Sequence, residues 1–258
     1  MPRFSANISM LFPEHDFLDR FQAAADAGFK AVELQFPYPF SPDDIGKARA
    51  KAKIPVAMFN LPAGNMEDGE RGVACLPERE AEFRKGVAWA AEYAAALDCH
   101  QVNALAGLLP KGADRTDAMY SLANSLSYAA KAMGEKDIRV TVEPVNDQSA
   151  PGYIINRTSD GMEAVDEAGH PNLYLQADLY HMAIMGEDFV PALQKVGAKL
   201  GHVQFADHPG RHEPGSGEVD FKTIFAALDE MGYEGWVGAE YKPAGKTVDG
   251  LGWLKEFG

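Results

Sequence analysis

Four polar residues, each at the end of a predicted strand, form the set of side chains in this sequence that could do chemistry together. They are Glu143, Asp178, Gln204 and Glu240. Each one ends a short, largely apolar run, which is typical of a buried strand. The steps between them are 35, 26 and 36 residues, each about one strand-and-helix unit. We therefore expect the four side chains to meet at one edge of a parallel sheet.

Three carboxylates and an amide packed this closely would repel one another unless they share a cation. All four offer oxygen, the ligand type that Mg²⁺ and Mn²⁺ prefer, whereas zinc sites are rich in His and Cys. The set therefore predicts a divalent metal site, with Mg²⁺ or Mn²⁺ as the metal. The alternative for any one residue is a strand-end side chain that caps the next helix or faces solvent, but four in register favour a shared site.

Three further residues are candidates for contact with a substrate. His181 lies three residues after Asp178, where it can face the same edge of the sheet, although a lone His is often structural. Arg211 lies in a glycine-rich loop, and Lys242 lies two residues past Glu240 on the same predicted strand face. Both cations can hold an anionic group, and solvent-exposed surface charge is the alternative for each.

Two histidines and one glutamate are harder to assign. His208 and His212 have the spacing of helical metal ligands, but Pro209 and Gly210 between them argue against a helix, so we interpret both as loop residues. Glu33 has the parity to point inward from its strand, and the pattern does not decide between a structural and a catalytic role.

Eight predicted strands, each followed by a helix, supply the elements that position these residues. Strict alternation predicts a parallel sheet covered by helices, and eight repeats in 258 residues favour closure into a single (β/α)8 TIM barrel domain over residues 1–258. An open doubly wound sheet is the alternative. The connection over residues 62–80 is much longer than the usual 2 to 6 residues of a strand-to-helix loop, so it is a candidate lid.

Composition excludes several functional classes. The net charge of −14 repels nucleic-acid phosphates and anionic lipids, and no basic stripe offsets it. No apolar run approaches the roughly 18 residues of a membrane span, and the N-terminus lacks a signal-peptide pattern. Cys75 and Cys99 match no metal spacing and are interpreted as structural thiols. We therefore expect a cytoplasmic protein without nucleic-acid or membrane partners.

Several segments resemble the hydroxypyruvate isomerase family, which belongs to the xylose-isomerase-like barrels. They are residues 142–146 (VEPVN), 176–182 (QADLYHM), 201–207 (GHVQFAD), 211–218 (RHEPGSGE), 238–243 (GAEYKP), 4–12 (FSANISMLF), 60–64 (NLPAG) and 69–72 (GERG). The resemblance spans nearly the whole chain and implies a homo-oligomeric enzyme that acts on a small 2-keto acid. It implies Glu143, Asp178, Gln204 and Glu240 as metal ligands, and His181 and Arg211 as substrate contacts. Gln204 stands where the wider superfamily has a His.

The reaction implied by the resemblance converts hydroxypyruvate into tartronate semialdehyde. A metal or cationic group polarises the ketone, one carboxylate removes a proton from the neighbouring carbon, and a second returns a proton to the other carbon. Glu143 and Glu240 are the expected acid/base pair. Arg211 and Lys242 are expected to neutralise the substrate carboxylate, while the long loop excludes water.

Other functions stay open at this point. The same chemistry serves a longer 2-keto acid such as 2-dehydrotetronate, or another metal-dependent sugar epimerase or isomerase of the same barrel. A metal-dependent endonuclease of this fold requires a His-rich, multi-zinc mouth and a basic track, and the sequence has neither. A catalytically silent binding protein that keeps the fold and the metal is a further possibility.

Overall fold

The computed structural model describes residues 2–258, and within them eight parallel strands form a closed barrel in chain order. The strands are β1 (Arg3–Asn7), β2 (Ala31–Leu34), β3 (Val56–Asn60), β4 (Gln101–Ala104), β5 (Arg139–Val142), β6 (Leu173–Asp178), β7 (Leu200–Phe205) and β8 (Trp236–Ala239). Pairing of β1 with β8, from Arg3 opposite Trp236 to Ala6 opposite Ala239, closes the ring. The predicted TIM barrel is therefore confirmed, and the open sheet is excluded.

Helices surround the barrel and cover the outer face of each strand. They are α1 (Arg20–Asp26), α2 (Pro42–Ala52), α3 (Glu80–Leu97), α4 (Arg115–Gly134), α5 (Thr158–Ala168), α6 (Leu179–Ile184), α7 (Phe189–Val196), α8 (Phe221–Glu230) and α9 (Gly252–Phe257). Local sequence explains the start of α2. The Ser41 side chain accepts a hydrogen bond from Asp44 N at the start of α2, with Pro42 as the first helical residue. No helix in residues 2–258 is long and apolar enough to cross a membrane.

The apolar core lies between the strands and the helices. Alternate strand residues such as Phe4, Val32 and Phe205 are buried there among the helix side chains. The barrel interior is instead filled by polar side chains that bond to one another across strands. Examples are Thr141 with Gln176, at 3.3 Å, and Ser5 with Glu33, at 3.0 Å. Because buried polar groups are stable only when they have partners, this interior has to be an extended hydrogen-bond network.

The loop at residues 62–80 is held against the barrel by its own backbone. It contains two short 3₁₀ turns, Met66–Asp68 and Pro77–Arg79, and leads directly into α3. Gly72 N donates to Ala63 O at 3.0 Å, and Cys75 N donates to Ala106 O at 2.9 Å. The connection between β3 and α3 is therefore long, as predicted, and has a defined conformation over the barrel mouth.

Candidate active site

The carboxyl-terminal end of the barrel brings together the four residues that end the predicted strands. Asp178 ends β6, Gln204 lies one residue before the end of β7, and Glu143 and Glu240 directly follow β5 and β8. All four are buried, with at most 6% of their surface exposed. Consecutive parallel strands of a barrel bring their ends to one mouth, which is why a spacing of about one unit predicted this convergence.

Glu143 lies among carboxylates and, within residues 2–258, has a single side-chain hydrogen-bond donor. Its Oε2 accepts a hydrogen bond from Asn103 Nδ2 at 3.0 Å. Burial raises the pKa of Glu143 well above its usual value, and the charges of Glu240 and Asp178 raise this pKa further. A carboxyl group with a raised pKa is suited to both accepting and returning a proton near neutral pH.

Asp178 has one satisfied and one unsatisfied oxygen. Its Oδ1 accepts a hydrogen bond from Tyr180 N at 2.8 Å and so caps α6. Its Oδ2 is buried without a hydrogen-bond partner in the described residues. His181 Nε2 lies 3.5 Å from this oxygen and Arg211 Nη2 lies 3.7 Å from it. An unpaired buried carboxylate oxygen is unfavourable by itself and marks a position for a cation or a proton donor.

Glu240 is held by an ion pair and by amides. Arg211 Nη2 donates to its Oε2 at 2.6 Å. Its Oε1 accepts from Asn7 Nδ2 at 2.9 Å, Gln35 Nε2 at 3.1 Å and Gln204 Nε2 at 3.4 Å. Burial raises the pKa of Glu240, while the charge of Arg211 opposes that rise. Arg211 therefore stabilises the ionised form of this glutamate.

Asp207 explains why Arg211 points into the mouth. The loop after β7 folds around the Asp207 carboxylate, which accepts hydrogen bonds from the backbone of His208, Gly215 and Val219 at 2.8–3.1 Å. Arg211 N in turn donates to Asp207 O at 3.0 Å. The Arg211 guanidinium lies 4.8 Å from the Tyr180 ring centre, where a cation–π contact supports it.

Glu33 and His202 form a buried pair below the mouth. Glu33 is completely buried, and its Oε2 lies 2.8 Å from His202 Nε2. Its Oε1 accepts from Gln204 Nε2 at 2.6 Å. Burial acts to raise the pKa of Glu33, but His202, Gln204 and Ser5 outweigh it and lower that pKa. Glu33 therefore has a structural environment, and it orients Gln204 from beneath.

Asn146 fixes the protonation of His181. Its Oδ1 accepts from the backbone of Gln148 and Ser149, so its Nδ2 donates to His181 Nδ1 at 2.5 Å. Burial and the charge of Arg211 lower the pKa of His181 to about 3, so the ring is neutral. A neutral ring that accepts at Nδ1 carries its proton on Nε2. His181 therefore presents an N–H donor towards the carboxylates.

A divalent cation fits the carboxylate oxygens at this mouth. Ligand oxygens of Glu143 and Asp178 lie within 4.8 Å of each other, and Asp178 Oδ2 has no hydrogen-bond partner in the described residues. Two carboxylates suffice for Mg²⁺ when substrate oxygens and water complete its shell. Gln204 Oε1 instead accepts from Gln176 Nε2 at 2.7 Å, and both oxygens of Glu240 are bonded to other side chains. The predicted ligand roles of Gln204 and Glu240 stay predictions.

A cavity of about 210 Å³ opens above these residues. Its lining includes Glu143, His181, Arg211 and Glu240, together with Arg71 from the loop at residues 62–80. Pockets for drug-sized ligands are roughly 300–1,000 Å³. The volume therefore suits a substrate of a few carbon atoms.

Three predicted residues lie outside this cluster. Lys242 follows the end of β8 by three residues and its side chain is exposed, so the same strand face does not reach it. His208 and His212 are loop residues, as predicted. The His208 ring packs against Tyr180, and His212 Nδ1 lies 2.7 Å from Lys242 O. The predicted substrate contact of Lys242 stays a prediction.

Sequence reasoning missed the amides and the second arginine of the site. Asn7, Asn103 and Asn146 hold the catalytic-face side chains, and each is buried with at most 1% of its surface exposed. Asn103 lies on β4 at an inward position, so strand parity could have found it. Arg71 had no such signal, because a loop has no periodicity.

Comparison with known proteins gives one family over the whole chain. The model of the xylose isomerase-like TIM barrel family matches residues 21–257. The chain is 43% identical over 258 residues to the 2-oxo-tetronate isomerase of Cupriavidus necator, covering 100% of this chain and 99% of the relative. It is 42% identical over 257 residues to the hydroxypyruvate isomerase of Escherichia coli, covering 100% of both. A crystal structure from Brucella melitensis, described as an AP endonuclease of family 2, matches with a TM-score of 0.97 at 41% identity, covering 100% and 99%.

Proposed function

The chain belongs to the xylose isomerase-like TIM barrel family, and from this premise we propose that it is an isomerase that converts hydroxypyruvate into tartronate semialdehyde. The observation that carries the proposal is the pair Glu143 and Glu240. Both are buried carboxyl groups that line one small cavity from strands three places apart in the barrel. Such a pair can move a proton between adjacent carbons, since one carboxyl group can take a proton and the other can return one.

Proton transfer begins at the hydroxymethyl carbon, C3. Glu240, in the ionised form that Arg211 stabilises, takes a proton from C3, and the C3–H electron pair forms an enediolate with the C2 ketone. Glu143 then returns a proton to C2, and the C3 hydroxyl proton passes to the C2 oxygen, which leaves an aldehyde at C3 and a hydroxyl group at C2. No oxidant or reductant is needed, because one carbon is oxidised as its neighbour is reduced.

The N–H of His181 stabilises negative charge on the substrate oxygens. His181 Nε2 faces the mouth as a donor to the oxygen that develops charge. Glu143 and Asp178 would hold a divalent cation, Mg²⁺ or Mn²⁺, which when bound supplies Lewis-acid polarisation of the ketone. The unpaired Asp178 Oδ2 supports this assignment.

The four-carbon acid 2-dehydrotetronate, the 2-oxo-tetronate of the relatives' names, is the second candidate substrate. The relative with that name is 43% identical, against 42% for the hydroxypyruvate isomerase, so identity does not separate them. A cavity of about 210 Å³ does not separate two acids that differ by one carbon, and we take the three-carbon acid as the first candidate. Measurement of kcat/KM for both acids with the purified protein tests this choice, and a clear preference for the four-carbon acid overturns it.

An endonuclease activity has no support at this mouth. The net charge is −14, and one histidine, His181, lies beside the two carboxylates that could hold a metal. DNA binding depends on cationic contacts with phosphates, and an acidic surface opposes it.

Two buried free thiols, Cys75 and Cys99, support a reducing compartment, and we propose the cytoplasm.

Glutamine substitutions test the proposed proton transfer. Glu143→Gln and Glu240→Gln keep the shape of the side chain and remove its ability to exchange a proton. We expect each to lower kcat by roughly 10²- to 10⁴-fold with an unchanged circular dichroism spectrum. Full activity of both variants would refute the acid/base roles.

A further inference from the structure

Arg71 is a cation at the mouth that the proposed proton transfer does not use. It lies in the loop at residues 62–80 and lines the same cavity as Glu143 and Glu240. Its side chain is half-buried. Its Nη1 donates to the backbone carbonyls of Glu70 at 2.7 Å and Met66 at 3.3 Å. In residues 2–258, its Nε and Nη2 have no acceptor and no carboxylate pairs with it.

Of the two arginines that line the cavity, Arg71 is the one whose positive charge is not neutralised by a carboxylate. Arg211 also lines the cavity, but it is bound to Glu240 at 2.6 Å and lies 3.7 Å from Asp178. An incoming substrate carboxylate is repelled by the glutamates, so it needs a cation that is not already neutralised. Glu70, next to Arg71 in the chain, does not neutralise it, because its carboxylate pairs with Arg79.

The loop backbone holds Arg71 in place. Gly72 packs directly on the end of β4, where an added Cβ would lie 2.2 Å from Leu105 O. Its φ of +107° is also a conformation that favours glycine. The residues that follow Arg71 are held by backbone hydrogen bonds, from Gly72 N to Ala63 O and from Cys75 N to Ala106 O. Arg71 is therefore presented to the cavity by a fixed segment.

We infer that Arg71 binds the substrate carboxylate and sets the preference of the enzyme for a keto acid over a neutral ketose. The free Nε and Nη2 form one edge of the guanidinium, which matches the two oxygens of a carboxylate. The role rests on the proposed isomerase function. It assigns to Arg71 the contact that the sequence led us to expect from Arg211 and Lys242.

Two substrates that differ only at the charged group test this role. Hydroxypyruvate and dihydroxyacetone undergo the same proton transfer, but dihydroxyacetone has a hydroxymethyl group in place of the carboxylate. We expect Arg71→Gln to lower kcat/KM for hydroxypyruvate by on the order of 10- to 100-fold, mainly through KM. The loss for dihydroxyacetone is expected to be much smaller, so the ratio of the two values falls. Added guanidinium should partly restore hydroxypyruvate turnover by Arg71→Ala.

The control is Arg84→Gln, which removes an exposed arginine paired with Glu80 on α3 and outside this cavity. This variant should have the same kcat/KM as the wild type for both substrates. If Arg71→Gln lowers kcat/KM equally for both substrates, and guanidinium does not restore hydroxypyruvate turnover by Arg71→Ala, Arg71 has only a structural role and the inference is wrong. If Arg71→Gln leaves kcat/KM unchanged for both substrates, the inference is also wrong, while the proposed function stands. A wild-type protein without hydroxypyruvate turnover overturns the proposed function itself.

Discussion

Replacement of Arg211 by Met removes the positive charge that holds the carboxylate cluster together. Met keeps a Cβ and an unbranched side chain, so the left-handed backbone of residue 211, with φ of 60°, carries no new constraint. The variant leaves Glu143, Asp178 and Glu240 buried without their nearby cation. Removal of one partner of a buried ion pair leaves an uncompensated charge, which is strongly destabilising.

The size of the effect follows from burial. The side chains of Arg211 and Glu240 are 20% and 7% exposed, so solvent screens this pair weakly. Loss of a buried partner costs about 3–5 kcal/mol of folding free energy. In a chain of this size each kcal/mol changes Tm by about 2–4 °C, so we expect a fall of about 6–20 °C.

The dependence on pH gives the sign of the effect. Burial and mutual repulsion raise the pKa of Glu143, Asp178 and Glu240, and Arg211 opposes each rise. Without Arg211 these folded-state pKa values rise further. A carboxyl group with a raised folded-state pKa favours folding below its unfolded pKa, and this contribution is lost as pH rises through the folded pKa. The deficit of Arg211→Met should therefore be larger at pH 8 than at pH 5.

Calorimetry of the wild-type protein and of Arg211→Met, both treated with a chelator, at pH 5 and pH 8 measures this difference. Lys47→Met is the matched control, because Lys47 is 70% exposed and pairs with an Asp43 that is 75% exposed. It should leave Tm unchanged at both pH values. An unchanged Tm in Arg211→Met, or a larger loss at pH 5 than at pH 8, would refute the electrostatic explanation.

Three further outcomes follow from the same contacts. In protein treated with a chelator, Glu143→Gln should raise Tm at pH 8 more than at pH 5, because it removes a buried carboxylate whose pKa is raised. Calorimetry at the two pH values checks this result. Gly72→Ala should cost about 1–3 kcal/mol in urea unfolding, whereas Gly69→Ala, also at positive φ but with open space around its Cβ, should cost clearly less. Chelation should abolish turnover, and Mg²⁺ or Mn²⁺ should restore it, with metal content measured in parallel; full turnover by metal-free protein would contradict the metal site.

The barrel and the position of its mouth could be predicted because both depend on local patterns. A strand followed by a helix leaves a short apolar run and a capped amphipathic segment, as at Ser41 before α2. The ends of successive parallel strands then meet by geometry alone. Glu143, Asp178, Gln204 and Glu240 were found by this argument without any knowledge of their contacts.

The partners of these residues depend on loops, which leave no periodic signal. Strand parity does not extend to Lys242, because β8 ends at Ala239. The pairing of Arg211 with Glu240 depends on a loop folded around Asp207. The position of Arg71 depends on a close approach at Gly72. Such contacts are set by tertiary structure between distant segments, and residue type alone does not reveal them.

Proton exchange with solvent during turnover tests the central proposal most directly. Hydroxypyruvate is incubated with purified, metal-supplemented protein in D₂O and followed by nuclear magnetic resonance. The proposal predicts tartronate semialdehyde with deuterium at C2, and deuterium at C3 of recovered hydroxypyruvate that is lost in Glu240→Gln. Absence of isomerisation, or the same deuterium incorporation in Glu240→Gln as in wild type, would contradict it.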